Sequence, residues 1–179
     1  GLAHELGIDK MHDFLSKFGF GQKTGIDVKD EVGGNLPSRA WKQKRFKQVW
    51  YPGETVIAGI GQGYTLVTPL QLAHATAMIA NKGVDIPPHF VKAIQDSRTG
   101  ETKPVVYPER TPFNFKNEDL ALVLDAMVAV TQPGGTAARA AAGAEYSFGG
   151  KTGTAQVKSI KQGERYDEKT VEERYRDHA

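Results

Sequence analysis

The chain has 179 residues, a formal net charge of +2 and no cysteine. Hydrophobic residues make up 39% of it and charged residues 25%, a balance typical of a globular chain that can bury a core. This composition excludes a disulfide framework and a thiolate metal site, and it does not favour nucleic acid or an acidic membrane surface as a partner. No apolar run approaches the ~20 residues that span a bilayer.

Helical signals open the chain. An apolar stripe with helical spacing runs over residues 2–18, and Gly7 is the position in it that disfavours a continuous helix. Asp9 is expected to cap a second helix that ends at Gly19. The chain starts within a helical pattern and ends in a charged one at Ala179, so we expect a piece of a longer gene product.

The next part is rich in glycine, proline and basic residues. Residues 20–27 and 30–38 are predicted loops. The stretch Trp41–Tyr51 mixes lysine and arginine with aromatic residues, and we expect a solvated basic loop packed by its tryptophans. Stacking on nucleic-acid bases is disfavoured by the weak net charge, whereas contact with an anionic glycan or a partner protein stays open. Pro52–Gly53 predicts a turn.

A helix and a hairpin are predicted in the middle of the chain. The pair Thr68–Pro69 combines a capping residue with a proline at the first helical position, and Gly83 is a stop signal for the helix that follows. Residues 90–94 and 105–107 read as two strands, and Thr99–Gly100 suggests the turn between them.

The last third predicts two helices and a strand. Asn117 is expected to cap a helix with enough apolar positions to be largely buried. Pro133–Gly135 should break it, and Thr136 should cap a short alanine-rich helix. Residues 147–157 are the predicted strand, and the charged tail 165–179 has a helical pattern.

The run Lys-Thr-Gly-Thr at Lys151–Thr154 is the leading candidate site. Its lysine offers positive charge, and the hydroxyls of Thr152 and Thr154 can donate to a carboxylate, which makes a stronger bond than a neutral acceptor. Gly153 has no side chain, so a substrate backbone can lie against the strand edge. The amide of Thr154 can point into an oxyanion hole.

Other chemical motifs fail at single positions. A phosphate loop ending at Gly150–Thr152 requires glycine where the chain has Glu145, whose carboxylate would repel phosphate. The dinucleotide pattern G-x-G-x-x-G fails at Tyr64, so Gly59–Gly63 predicts a tight turn ahead of a helix, with a glycine-lined wall beside an active site as the alternative. The zinc pattern H-E-x-x-H fails at Ile8, and no metal site is expected. Three histidines lack partners at ligand spacing and read as packed or solvated: His74, His89 and His178.

Several short motifs occur together, in an order that resembles the penicillin-binding transpeptidases. The details are similar to the class B branch that acts in rod-shape elongation, especially in Trp41–Phe46 and Glu173–His178. The ordered motifs are Thr24–Asp27, Gly59–Gly63, Val67–Ala73, Gly135–Ala137 and Lys151–Gln156.

The resemblance implies an α+β fold of the penicillin-binding and serine β-lactamase type, with an antiparallel sheet flanked by helices. That family also uses Ser-x-x-Lys and Ser-x-Asn/Asp, and neither pattern occurs among the five serines of this chain. We therefore expect residues 1–179 to be a single partial transpeptidase domain, without the half that carries both serine motifs and without the last strands and helix.

The function implied is that of a D,D-transpeptidase that cross-links peptidoglycan stem peptides through a serine acyl-enzyme and is acylated by β-lactams. Lys151 would help set the electric field at the serine and take part in proton transfer or carboxylate binding. Thr152 and Thr154 would hold the substrate carboxylate, and the Thr154 amide would be an oxyanion donor. No cofactor is implied. The alternative is a silent fold that only binds or scaffolds cell-wall partners.

The same resemblance implies partners and a location. The partners would be a SEDS-family glycosyltransferase and other elongation-complex proteins, and no nucleic acid. The location would be the bacterial inner membrane, with a single-pass anchor outside this chain and the domain in the periplasm. On this interpretation the chain alone is expected to be inert, because it lacks the nucleophile.

Overall fold

The computed structural model describes residues 1–108, 110, 113–155 and 171–175. It divides into two compact units, Gly1–Phe115 and Lys116–Ala179. Among the described residues, the first unit holds five helices and a two-stranded sheet, and the second is organised by one longer helix. That both units belong to one partial transpeptidase domain stays a prediction.

The first unit begins with two short helices separated at Gly7, as the sequence predicts. Gly7 has φ +80°, a left-handed conformation that glycine adopts without a steric cost. Asp9 is not the cap of the second helix. It lies in the first turn, and its carboxylate accepts a hydrogen bond of 3.0 Å from the Arg39 amide. The helix ends at Ser16 and not at Gly19. The two helices are α1 (Leu2–Leu6) and α2 (Ile8–Ser16).

The basic aromatic stretch is a helix, and the prediction of a loop was wrong. Helix α3 (Arg39–Phe46) begins at Ser38, whose hydroxyl accepts a 3.0 Å hydrogen bond from the Trp41 amide. Lysine, glutamine and arginine are good helix formers, so this cap suffices to start the helix. The turn predicted at Pro52–Gly53 is instead the start of helix α4 (Pro52–Ala58), with proline at a position that needs no backbone donor.

Helix α5 (Pro69–Ala80) confirms its predicted start and stop. The Thr68 hydroxyl accepts from the Gln71 amide at 3.1 Å, and the Gln71 side-chain oxygen accepts from the Thr68 amide at 2.9 Å. This reciprocal pair is a capping box. At the other end Gly83 has φ +90° and donates its amide to the Met78 carbonyl at 2.7 Å, which turns the chain away.

The core of the first unit is built from apolar side chains and from polar ones that have partners. Rings of Phe14, Phe18, Phe113 and Phe115 contact one another at centroid distances of 4.4–5.8 Å. Lys42 is 1% exposed, and its ammonium lies 2.5 Å from the Glu54 carboxylate. Its burial is tolerated because the opposite charge accompanies it.

The predicted hairpin is present, but its strands are shorter and shifted. Strands β1 (Ala93–Gln95) and β2 (Thr102–Pro104) pair antiparallel with Ile94 opposite Lys103. All six strand residues are exposed, so the hairpin lies at the surface. The strands differ from the predicted ranges 90–94 and 105–107 because the pairing between strands, and not only β-propensity, decides which residues form the ladder.

The second unit departs further from the predicted elements. Helix α6 (Asn117–Ala129) begins after Lys116, so Asn117 is its first residue and not its cap. It was predicted to be largely buried, yet Leu122 is 71% exposed, and of this unit's described residues only Leu120 and Thr131 are buried.

The segments after α6 are irregular. The predicted alanine-rich helix is a run of turns, such as the bond from the Ala140 amide to the Ala137 carbonyl, because so short a segment lacks the packing that stabilises a helix. Residues 147–154 form no strand, and 156–157 lie outside the described residues, as does most of the tail. Within that tail Glu173–Tyr175 is a single 3₁₀ turn. Among the described residues, none of the helices has the length and apolar character to cross a membrane.

Candidate active site

The Lys-Thr-Gly-Thr segment is held by the C-terminal end of α6. The Gly150 amide donates to the Met127 carbonyl at 3.0 Å. Gly149 lies so close to the helix that a Cβ there would come within 3.1 Å of the Met127 Cβ. The glycine pair before the motif therefore lets the backbone rest directly on α6.

A buried threonine that the sequence did not single out fixes the same segment. The Thr131 side chain is 5% exposed, and its hydroxyl lies 2.6 Å from the Phe148 carbonyl oxygen and 2.9 Å from that of Val128. A hydroxyl has one proton, so it donates to one of the two carbonyls at a time. Only the fold reveals this role, because Thr131 and Phe148 are distant in sequence.

The turn after α6 folds back against the helix. A Cβ at Gly135 would overlap the carbonyl oxygens of Val130 and Ala129, so only glycine fits. The Ala137 amide donates to the Val130 carbonyl at 2.9 Å. The two contacts hold the intervening residue, Thr136, at the surface.

Lys151 and Thr152 lie together and face solvent. The Lys151 ammonium donates to the Thr152 carbonyl at 2.8 Å and lies 3.4 Å from the Thr152 hydroxyl. The Thr136 hydroxyl is 3.5 Å from the same hydroxyl. Gly153 and Thr154 are exposed as well, and no atom would come within 4 Å of a Cβ at Gly153. An ammonium and adjacent hydroxyls in solvent form a donor-rich surface that can accept an anion.

The motif Thr24–Asp27 serves the structure of the first unit. Burial alone would raise the pKa of Glu31, but hydrogen bonds from the Thr24 hydroxyl and amide at 2.5 and 2.6 Å and from the Gly25 amide outweigh it and lower that pKa. Arg110, in turn, donates to the Thr24 carbonyl. These contacts tie a loop, and both carboxylate oxygens of Glu31 accept hydrogen bonds.

Asp27 connects this loop to the hairpin region. Its carboxylate accepts bonds of 2.8, 2.8 and 2.7 Å from the amides of Phe90 and Val91 and from the Tyr107 hydroxyl. The Phe90 bond, then Tyr107, then Val91 lower the pKa of Asp27 from 3.8 to about 2. Partial burial first, and then the Asp27 charge, raise the pKa of Tyr107.

The remaining candidates have structural partners. His74 is 6% exposed, and its Nε2 lies 2.7 Å from the Asp85 carboxylate, while His89 stacks on Tyr107. His178 lies outside the described residues. In the part of the chain that the structure describes, acidic and histidine side chains form no cluster that could hold a metal. Gly59–Gly63 is the predicted tight turn, with positive φ at its third and fifth residues.

In the basic stretch, the buried lysine and one tryptophan act as packing elements. The Lys42 ammonium lies 4.6 Å from the Tyr51 ring centroid, in addition to its ion pair with Glu54. The Trp50 ring nitrogen donates to the Thr55 hydroxyl at 2.8 Å. This part of the stretch therefore joins α3 to α4.

Comparison with known proteins gives one family. The protein-family model described as "Penicillin binding protein transpeptidase domain" matches residues 1–173. The chain is similar to the peptidoglycan D,D-transpeptidase MrdA of Escherichia coli strain K12, with 40% identity over 179 residues, 99% of this chain and 28% of that protein. The chain thus spans less than a third of the length of this curated relative.

Solved structures agree with the same family. A crystal structure of Pseudomonas aeruginosa PBP2 in complex with WCK 5153 matches with a TM-score of 0.77 and 45% identity, over 87% of this chain and 35% of that one. PBP2 from Helicobacter pylori in complex with MreC matches with a TM-score of 0.72 and 37% identity, over 87% and 28%. These matches confirm the predicted α+β fold and the resemblance to the rod-shape elongation branch.

Proposed function

The chain belongs to the penicillin-binding protein transpeptidase family, and from this membership we propose that it carries the Lys-Thr-Gly-Thr segment of a peptidoglycan D,D-transpeptidase. One observation in the structure supports this most directly. Lys151 and Thr152 place an ammonium and a hydroxyl side by side in solvent, on a backbone that α6 holds through Met127 and Thr131.

The proposed reaction has two steps. A serine hydroxyl from outside these 179 residues attacks the carbonyl carbon of the penultimate D-alanine of a stem peptide. The C–N bond to the terminal D-alanine breaks, and that residue leaves with the proton. An amine of a second stem peptide then attacks the ester, forms the cross-linking amide and releases the serine.

Each motif residue has a proposed role in these steps. Lys151 supplies positive charge beside the serine and the substrate carboxylate. Thr152 and Thr154 donate hydrogen bonds to that carboxylate, and charge-assisted bonds of this kind are the stronger ones. The Thr154 amide donates to the developing oxyanion, and a donor of this type contributes roughly 3 kcal/mol to the transition state. Gly153 leaves room for the substrate backbone.

The proposal extends to inhibitors, partners and location. β-Lactams would acylate the same serine, since they imitate the D-Ala-D-Ala end. The PBP2–MreC complex of Helicobacter pylori supports elongation-complex proteins as partners, and a SEDS-family glycosyltransferase is proposed with them. The domain would lie in the periplasm, anchored to the bacterial inner membrane.

The test is acylation of the full-length protein by benzylpenicillin, followed by intact mass. We expect one adduct on the wild type. Thr154→Val keeps the amide but removes the hydroxyl, and we expect acylation about tenfold slower because a hydrogen bond to a charged group is lost. Thr102→Val, at an exposed position of β2, is the matched control and should acylate at the wild-type rate.

Two failures would be told apart by this design. A wild type that forms no adduct would refute the transpeptidase proposal itself. A wild type that acylates at the same rate as Thr154→Val would leave the activity standing and remove the role given to that hydroxyl.

A further inference from the structure

Two separate segments of the second unit bring hydroxyls to one spot. The turn that contains Thr136 and the segment that contains Thr152 are distant in sequence. Both are held against the C-terminal end of α6, the first through the Val130 carbonyl and the second through the Met127 carbonyl. Because one helix end positions both segments, the place where they meet is defined by backbone contacts and not by chance orientation of side chains.

The spacing of the three donors suits an anion between them. The hydroxyls of Thr136 and Thr152 are 3.5 Å apart, longer than the ~2.7–2.8 Å of an ordinary hydroxyl hydrogen bond. They are therefore neighbours without a strong bond to each other, and both are exposed. An oxygen atom can lie at ordinary hydrogen-bond distance from both. The Lys151 ammonium, 3.4 Å from the Thr152 hydroxyl, adds positive charge at the same place.

We propose that Thr136 is a further substrate-binding residue, whose hydroxyl donates with that of Thr152 to the terminal carboxylate of the stem peptide or of a β-lactam. A carboxylate oxygen has two acceptor sites and can take both bonds. The inference rests on the proposed function, and it goes beyond the Lys-Thr-Gly-Thr motif because Thr136 lies outside that run.

The backbone around Thr136 is prepared for this role. Gly135 approaches α6 too closely for any side chain, and the Ala137 amide is bonded to the Val130 carbonyl at 2.9 Å. Thr136 is thus fixed on both sides, and its hydroxyl needs no backbone rearrangement to meet a ligand. Donors held in place before binding contribute more than donors that must be ordered by the ligand.

The experiment compares two probes on the full-length protein, benzylpenicillin and its methyl ester, in which a neutral ester replaces the carboxylate. Acylation rates are measured by intact mass for the wild type, Thr136→Val and Thr136→Ser. We expect Thr136→Val to react about tenfold more slowly with benzylpenicillin and within about twofold of the wild type with the ester, because only the charged acceptor loses a strong bond. Thr136→Ser keeps the hydroxyl and should stay within about twofold of the wild type with both probes.

The ratio of the two rates within one variant separates binding from folding. An equal loss of rate with both probes in Thr136→Val would overturn the proposal and assign Thr136 a packing role. An unchanged rate with benzylpenicillin in this variant would also overturn the proposal. A wild type that reacts with neither probe would refute the proposed function and this inference with it. The three results are distinct.

Discussion

The two units differ in what they do with polar side chains. In Gly1–Phe115 such side chains are buried and joined to loops, and Gln71 is the clearest case. It is 1% exposed and donates to the carbonyls of Gln22 and Gly33 at 2.5 and 2.7 Å. In the described part of Lys116–Ala179, Thr131 is the one buried polar residue, and the donors of the candidate site face solvent.

This contrast separates stability from chemistry. In the first unit buried polar groups specify where loops run, because a buried donor or acceptor without a partner is costly. In the second unit the backbone is held, while the side chains of the candidate site are exposed to solvent. We therefore expect substitutions in the first unit to change its local stability, measured by hydrogen exchange. Substitutions in the second unit should change the rate of acylation by benzylpenicillin.

The largest effect is expected for Gln71→Met, a change of similar volume. It removes the side-chain half of the capping box of α5 and leaves two loop carbonyls without their donor, which should lower local stability by about 2–3 kcal/mol. Hydrogen exchange of the full-length protein over residues 19–36 measures this directly. Gln43→Met, at an exposed position of α3, should change it by less than about 0.5 kcal/mol. Equal protection in both variants would contradict the role of Gln71.

A middle-sized effect is expected for Gly135→Ala in the second unit. The new methyl group would overlap the carbonyl oxygens of Ala129 and Val130 at the end of α6, and such overpacking costs about 1–3 kcal/mol. The turn should move away from the helix, so exchange over 130–137 should increase and acylation by benzylpenicillin should slow. Gly53→Ala is the matched control, since no atom would come within 4 Å of its added Cβ. Unaltered exchange and acylation in Gly135→Ala would show that the close approach is not needed.

The smallest effect is expected for Asp27→Asn, because Asp27 is exposed and solvent weakens its bonds. Its pKa is lowered from 3.8 to about 2, so the charged form stabilises the fold above its ordinary pKa, and that contribution is lost as pH falls through about 2. The thermal midpoint of the wild type should exceed that of the variant at pH 7, and the difference should narrow between about pH 4 and 2. A difference that stays constant over this window would argue against the lowered pKa.

Short-range signals predicted part of this structure well. Thr68, Pro69 and Gly83 mark the ends of α5 because capping and turn preferences act within a few residues. The hairpin was predicted for the same reason. The basic stretch was predicted as a loop although Ser38 provides a local cap for its helix. Only the burial of Lys42 depends on a distant partner, Glu54, which lies 12 residues away.

The sequence by itself determined the family, since the ordered motifs and the Lys-Thr-Gly-Thr run can be recognised without the structure. It also determined which residues are candidates at Lys151–Thr154. Only the tertiary structure decided that Thr131 holds this segment and that Thr136 stands beside Thr152. The physical reason is distance along the chain. These contacts join residues 16 and 17 positions apart through the end of α6, and no local propensity encodes such a meeting.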